Sequence, residues 1–125
     1  MVNLLSSVLL LVALIVVAAG ISCYNKNEFE YVEIMHHGCN YCQATFEISD
    51  GTANFYCIKR DHSKKDANNF DLGNPADCQK QNVSNFYDGF TEMWVCDCFE
   101  SGCNYPFTFE EFEARNHTLK SKYSK

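Results

Sequence analysis

Val95-Cys96-Asp97-Cys98-Phe99-Glu100-Ser101-Gly102-Cys103-Asn104 is the stretch on which the reading of this chain turns. It holds the last three of eight cysteines. Cys96 and Cys98 stand two apart on one extended segment, too far stretched to bond each other without distortion. Cys98 and Cys103 bracket four residues that include Ser101-Gly102, so a small closed loop is feasible there. The other five are Cys23, Cys39, Cys42, Cys57 and Cys78. An even cysteine count in a short chain behind an apolar N-terminus reads as a secreted domain held by disulfides. Eight cysteines allow roughly a hundred pairings. Cys39 and Cys42 either close locally as Cys-x-x-Cys or each reach a different hairpin.

Leu4 to Ala19 is nearly all apolar, with Ser6 and Ser7 the early interruptions. The run is short for a membrane span, and Ala18, Ala19, Gly20 and Ser22 follow. That is the grammar of a signal peptide, an apolar h-region and then a small-residue cleavage zone. The expected leader is residues 1–20, with cleavage open between 19 and 22. Gly20-Ile21-Ser22 before Cys23 does not fit a lipoprotein box. The leader has no charged side chain, so the net charge of −6 belongs to the rest. An acidic surface argues against nucleic acid as a partner, because phosphate contact needs a basic patch. No apolar stretch after Cys103 reads as an anchor, so the expected product is secreted and extracellular, without a membrane anchor. Asn82-Val83-Ser84 and Asn116-His117-Thr118 are glycosylation sequons, at Asn82 and Asn116.

Three segments read as hairpins. The first runs from Cys23 to about His37, with Tyr31 to Met35 as its strand and a turn near Asn25 to Asn27. The second alternates from Cys42 to Ile48, with Ala44, Phe46 and Ile48 on one face and Gln43, Thr45 and Glu47 on the other. Asp50-Gly51 supplies its turn, and Ala53 to Lys59 returns. The third turns at Asp88-Gly89, between Val83 to Tyr87 and Phe90 to Cys96. Polar Arg60 to Ala76 reads as a long surface loop. Thr108 with Glu111 three residues on fits a capping box, which predicts a short helix from Phe109 to about Asn116.

Cys23-Tyr24, Cys39-Asn40-Tyr41-Cys42, Gly51, Cys57, Cys78 and the closing Cys96-Asp97-Cys98 with Cys103-Asn104 together resemble the nematode ET module. They also resemble the related three-finger ectodomains of activin-type receptors and the snake-toxin-like fold. The resemblance spans residues 23–104, and Cys-x4-Cys-Asn is its most specific part. The family pattern has ten cysteines and ends in three consecutive ones. Asp97 stands in place of the middle one, and the Arg60 to Ala76 loop lacks a second cysteine. Both halves of one bridge are therefore missing together. The resemblance implies the pairs Cys23–Cys42, Cys39–Cys57, Cys78–Cys96 and Cys98–Cys103. It further implies a small all-β, disulfide-rich three-finger domain over 23–104, followed by a C-terminal extension, 105–125, with the short helix and a flexible tail.

Chemistry is sparsely signalled. A redox Cys-x-x-Cys wants its first cysteine at a helix N-terminus, and here a strand pattern follows. His36-His37 beside Cys39 and Cys42 could mark zinc, but in an oxidising compartment thiols pair first. His62 and His117 stand alone. Glu110, Glu111 and Glu113 suit the start of a helix. No cofactor or metal is called for, and the expected protein is not an enzyme. The expectation is a binding module for an extracellular protein, whether receptor, channel or growth-factor-like ligand, of unspecified oligomeric state. Trp94, Phe90 and Phe46 are its candidate anchors, since aromatics dominate interface energetics. Two alternatives stand beside it, a secreted structural or surface-coat component and a thiol redox protein.

Overall fold

Alternating apolar and polar residues, rich in aromatic and β-branched types, form six strands among the described residues of a computed structural model of the chain. It describes residues 20–27, 34–61, 70–71, 73–85 and 89–121. The apolar leader, most of the polar loop including His62, the Tyr87-Asp88 part of the third turn and the basic tail from residue 122 lie outside them. Strands β1 (Ile21–Asn25) and β2 (Ile34–Cys39) pair antiparallel. Strands β3 (Tyr41–Glu47) and β4 (Ala53–Ile58) form a second hairpin, and β5 (Cys78–Asn85) and β6 (Gly89–Cys98) a third. Pairing of β3 with β6 joins the latter two into a four-stranded sheet of order β4-β3-β6-β5. The protein is thus small and mostly β, with antiparallel sheets, four disulfides and one short described helix.

The first hairpin corrects the sequence reading. Asn25 pairs with Ile34, and Lys26 makes a reciprocal backbone bridge with Phe55. The chain therefore has not turned at Asn25 or Lys26, and residues 28–33, with the Tyr31 to Glu33 part of the expected strand, lie outside the described residues. Asn-Lys-Asn is turn-like by composition, but pairing to β4 outweighs that local preference. The bridge also ties the small sheet to the edge of the large one.

The turn of the second hairpin is where it was expected. The Glu47 amide donates to the Thr52 carbonyl, and the Gly51 amide donates back to Glu47. Gly51 stands at φ +75°, a conformation that side chains rarely tolerate. The third hairpin begins earlier than its alternation indicates, because Cys78 already pairs with Cys96.

One sheet face carries Ala44, Phe46, Phe55, Cys78 and Cys96, all buried. Helix α1 (Phe109–Ala114) lies over it and buries Phe112. Thr108 caps the helix, its hydroxyl accepting from the Glu111 amide at 3.2 Å. The helix is shorter than the sequence predicts. Asn116 and His117 take positive φ angles, which ends it near Arg115. The opposite face of the sheet is not bare, for Val95, Gln43 and Asp97 on it are also buried.

Candidate functional site

The bridges gather at one end of the sheets. Cys23–Cys42 and Cys39–Cys57 cross between the first and second hairpins, with sequence separations of 19 and 18. Cys78–Cys96 joins two strands directly opposite each other, and Cys98–Cys103 closes the turn after β6. These are the four pairs named above. Cys23, Cys39 and Cys42 are fully buried and pack with Cys57, Cys98 and Cys103. A disulfide palm thus replaces part of the apolar core that so small a domain lacks.

Asn104, the residue that follows the last cysteine, is fully buried within this palm. Its side-chain oxygen accepts the Tyr24 amide at 2.9 Å. Its Nδ2 donates to the carbonyls of Tyr24, Gln43 and Tyr56 at 3.0, 3.1 and 3.2 Å. One amide group therefore stitches β1, β3 and β4 together. Asp97 is also buried, and it accepts from Gln43 Nε2 at 3.0 Å. Gln43 and Asp97 stand directly opposite each other on β3 and β6.

The inner sheet face is occupied by the chain's own C-terminal segment. Phe46 is fully buried and stacked on Phe112, ring centroids 4.1 Å apart and planes 13° from parallel. It is a core residue, so its assignment as an interface anchor is corrected. Trp94 is half-buried, stacked on His117 at 4.4 Å and edge-on to Phe112 at 5.8 Å. Its ring serves this docking, and His117, which stood alone in the sequence, gains a packing role. Arg115 lies 4.0 Å over the Phe107 ring and donates to the Leu119 carbonyl. Asp77 accepts from the Thr118 hydroxyl and the Leu119 amide, both at 2.9 Å. This latch follows from no local sequence pattern.

Outside the palm and the docked segment, large apolar side chains reach water. Phe90 is 71% exposed at the start of β6, the end farthest from the palm. Ile34, Met35, Phe99 and Tyr105 are exposed as well. Tyr24 and Met35 face each other across the first hairpin, and Tyr105 packs edge-on to Tyr24 at 5.1 Å. A Cβ on Gly102 would come within 4 Å of both Tyr24 and Met35. This hairpin therefore shows one continuous aromatic and aliphatic surface. A groove of 520 Å³ opens between the second turn, Lys26 and the run Pro106 to Phe109. Asn82 and Ser84 are exposed on the edge strand β5. Asn116 is exposed too, but the Thr118 hydroxyl of its sequon is bonded to Asp77.

The chemically suggestive groups are tied up in structure. Cys39 and Cys42 belong to different disulfides, so they do not form a Cys-x-x-Cys pair. The sulfurs of Cys42, Cys98 and Cys103 lie within 4.8 Å of one another, but each is already in a disulfide and offers no thiolate. His36 and His37 are neighbours on a strand and point to opposite faces. His37 Nδ1 lies 2.6 Å from the Ser22 hydroxyl, and no described residue bonds its other ring nitrogen. Asp50 has its carboxyl held below its ordinary value of 3.8, first by the Thr52 amide and then by the Thr52 side chain. That shift belongs to a turn. No described helix is long and apolar enough to cross a membrane. No protein-family model, curated protein or solved structure matches this chain.

Proposed function

We propose that this protein is a secreted, non-enzymatic binding module of three-finger type, similar to nematode ET modules and activin-type receptor ectodomains. It acts by surface contact on an extracellular protein, namely a receptor, channel or growth-factor-like ligand. The observation that supports this reading is the gathering of the bridges at one end of three antiparallel hairpins. With closure made covalently there, Phe90 and Tyr105 stand exposed at the surface. The inner face is filled by Phe112 and its neighbours. The contact is therefore assigned to the outer surface of the first hairpin, Tyr24, Met35 and Tyr105, with Phe90 at the far end of the third. Exposed aromatic residues of this kind make effective interface anchors.

The test is binding of the purified, labelled protein to arrayed extracellular proteins and to intact cells. The reading predicts saturable binding, weakened about tenfold or more by Phe90→Ala or Tyr105→Ala. Deposition that never saturates, on any surface, would favour a coat component instead.

A further inference from the structure

We infer that the leader is removed on the N-terminal side of Ile21, at Ala19–Gly20 or Gly20–Ile21, and that Ile21 and Ser22 stay as the first residues of β1. This rests on the reading of an N-terminal secretion leader. The sequence alone leaves three cleavage positions open, and the fold separates them. Ile21 pairs with Cys39 in the first hairpin. Ser22 is engaged on every side. Its amide donates to the Ser101 hydroxyl at 3.1 Å, its carbonyl accepts the Gly102 amide at 2.8 Å, and its hydroxyl meets His37 at 2.6 Å. Two of those contacts hold the small loop that Cys98–Cys103 closes.

Cleavage after Ser22 would strip all of them. It would also make Cys23 the first residue, and Cys23 is fully buried in its bridge to Cys42. A new α-ammonium there would sit against buried surface, where an unpaired charge is costly. Gly20 marks the boundary from the other side. It is exposed, at φ +75°, and a Cβ on it would come within 2.7 Å of the Cys39 carbonyl oxygen. Gly20 is the kind of small residue a leader peptidase accepts at its cut, and where the cut precedes it, the fold tolerates no side chain there. The step is hydrolysis of one peptide bond by such a peptidase. Water adds its hydroxyl to the carbonyl carbon of Ala19 or Gly20, and the departing amine takes the proton.

N-terminal sequencing and intact mass of the secreted protein test this. A chain that starts at Gly20 or Ile21 is the expected result. A start at Cys23, or at any other residue beyond Ile21, overturns the inference. A secreted chain that starts at Met1 overturns the leader reading itself. A second measurement compares two proteins made behind an unrelated leader, one starting at Ile21 and one at Cys23. The shorter is expected to melt lower by about 5 °C or more, because the Ser22 hydrogen bonds are gone. Equal melting temperatures would overturn the inference.

Discussion

Asn104 is the residue whose loss should be felt most widely for its size. Its side-chain oxygen accepts one backbone amide, and its two N–H protons are shared among three carbonyls from three strands. Asn104→Ala leaves those groups without that partner inside the palm, and each buried group left unpaired costs about 1–3 kcal/mol. We expect a loss of about 3 kcal/mol or more, read as a lower urea midpoint at unchanged slope. Asn104→Asp keeps the acceptor for Tyr24 but turns a carboxylate towards three carbonyl oxygens, and should be at least as harmful. Asp50 makes a smaller, pH-dependent contribution. Its folded carboxyl titrates below the unfolded value of 3.8. The stability it adds is therefore present above 3.8 and is lost as pH falls through the lower, folded value. The stability difference between the wild type and Asp50→Asn should shrink as pH falls from neutral to below 3.8. A constant difference across that range would contradict the assignment.

At the scale of elements, the hairpins were legible because alternation fixes which side chains share a face. Ala44 and Phe46 do share the core face, and Gly51 does make the turn. Alternation does not say what covers a face. Phe46 and Trp94 read as equally good anchors in the sequence, and only the docking of α1 separates them from Phe90. The first turn was misread for the matching reason, since Lys26 is held by Phe55, a residue from another hairpin. Trp94 is the chain's only tryptophan, which gives that docking its own probe. Phe112→Ala should cost about 3–5 kcal/mol as a large-to-small core change. It should also shift Trp94 fluorescence to the red as the stacked segment loosens. A destabilised variant with unchanged emission would place Trp94 outside this packing.

At the scale of the molecule, the four bridges do unequal work. Restriction of the unfolded chain grows with the loop that a bridge closes. Cys23–Cys42 spans a separation of 19 and Cys98–Cys103 one of 5. Removing both cysteines of the short bridge should cost about 1 kcal/mol less than removing both of the long one, measured by denaturant unfolding. Cys23→Ser and Cys42→Ser should harm secretion equally, as partners do. The cysteine positions, with the strand alternation, made a small disulfide-rich β fold readable. They did not show that Asn104 and Ser22 complete the palm, because those contacts join segments distant in sequence. The central claim is a palm of crossed bridges carrying three hairpins. Its most direct test is a non-reducing peptide map with cleavage at Tyr41, which separates Cys39 from Cys42, and partial reduction to resolve Cys96 from Cys98. The account predicts Cys23–Cys42, Cys39–Cys57, Cys78–Cys96 and Cys98–Cys103. A Cys39–Cys42 bridge, or free thiols at those two positions, would contradict it.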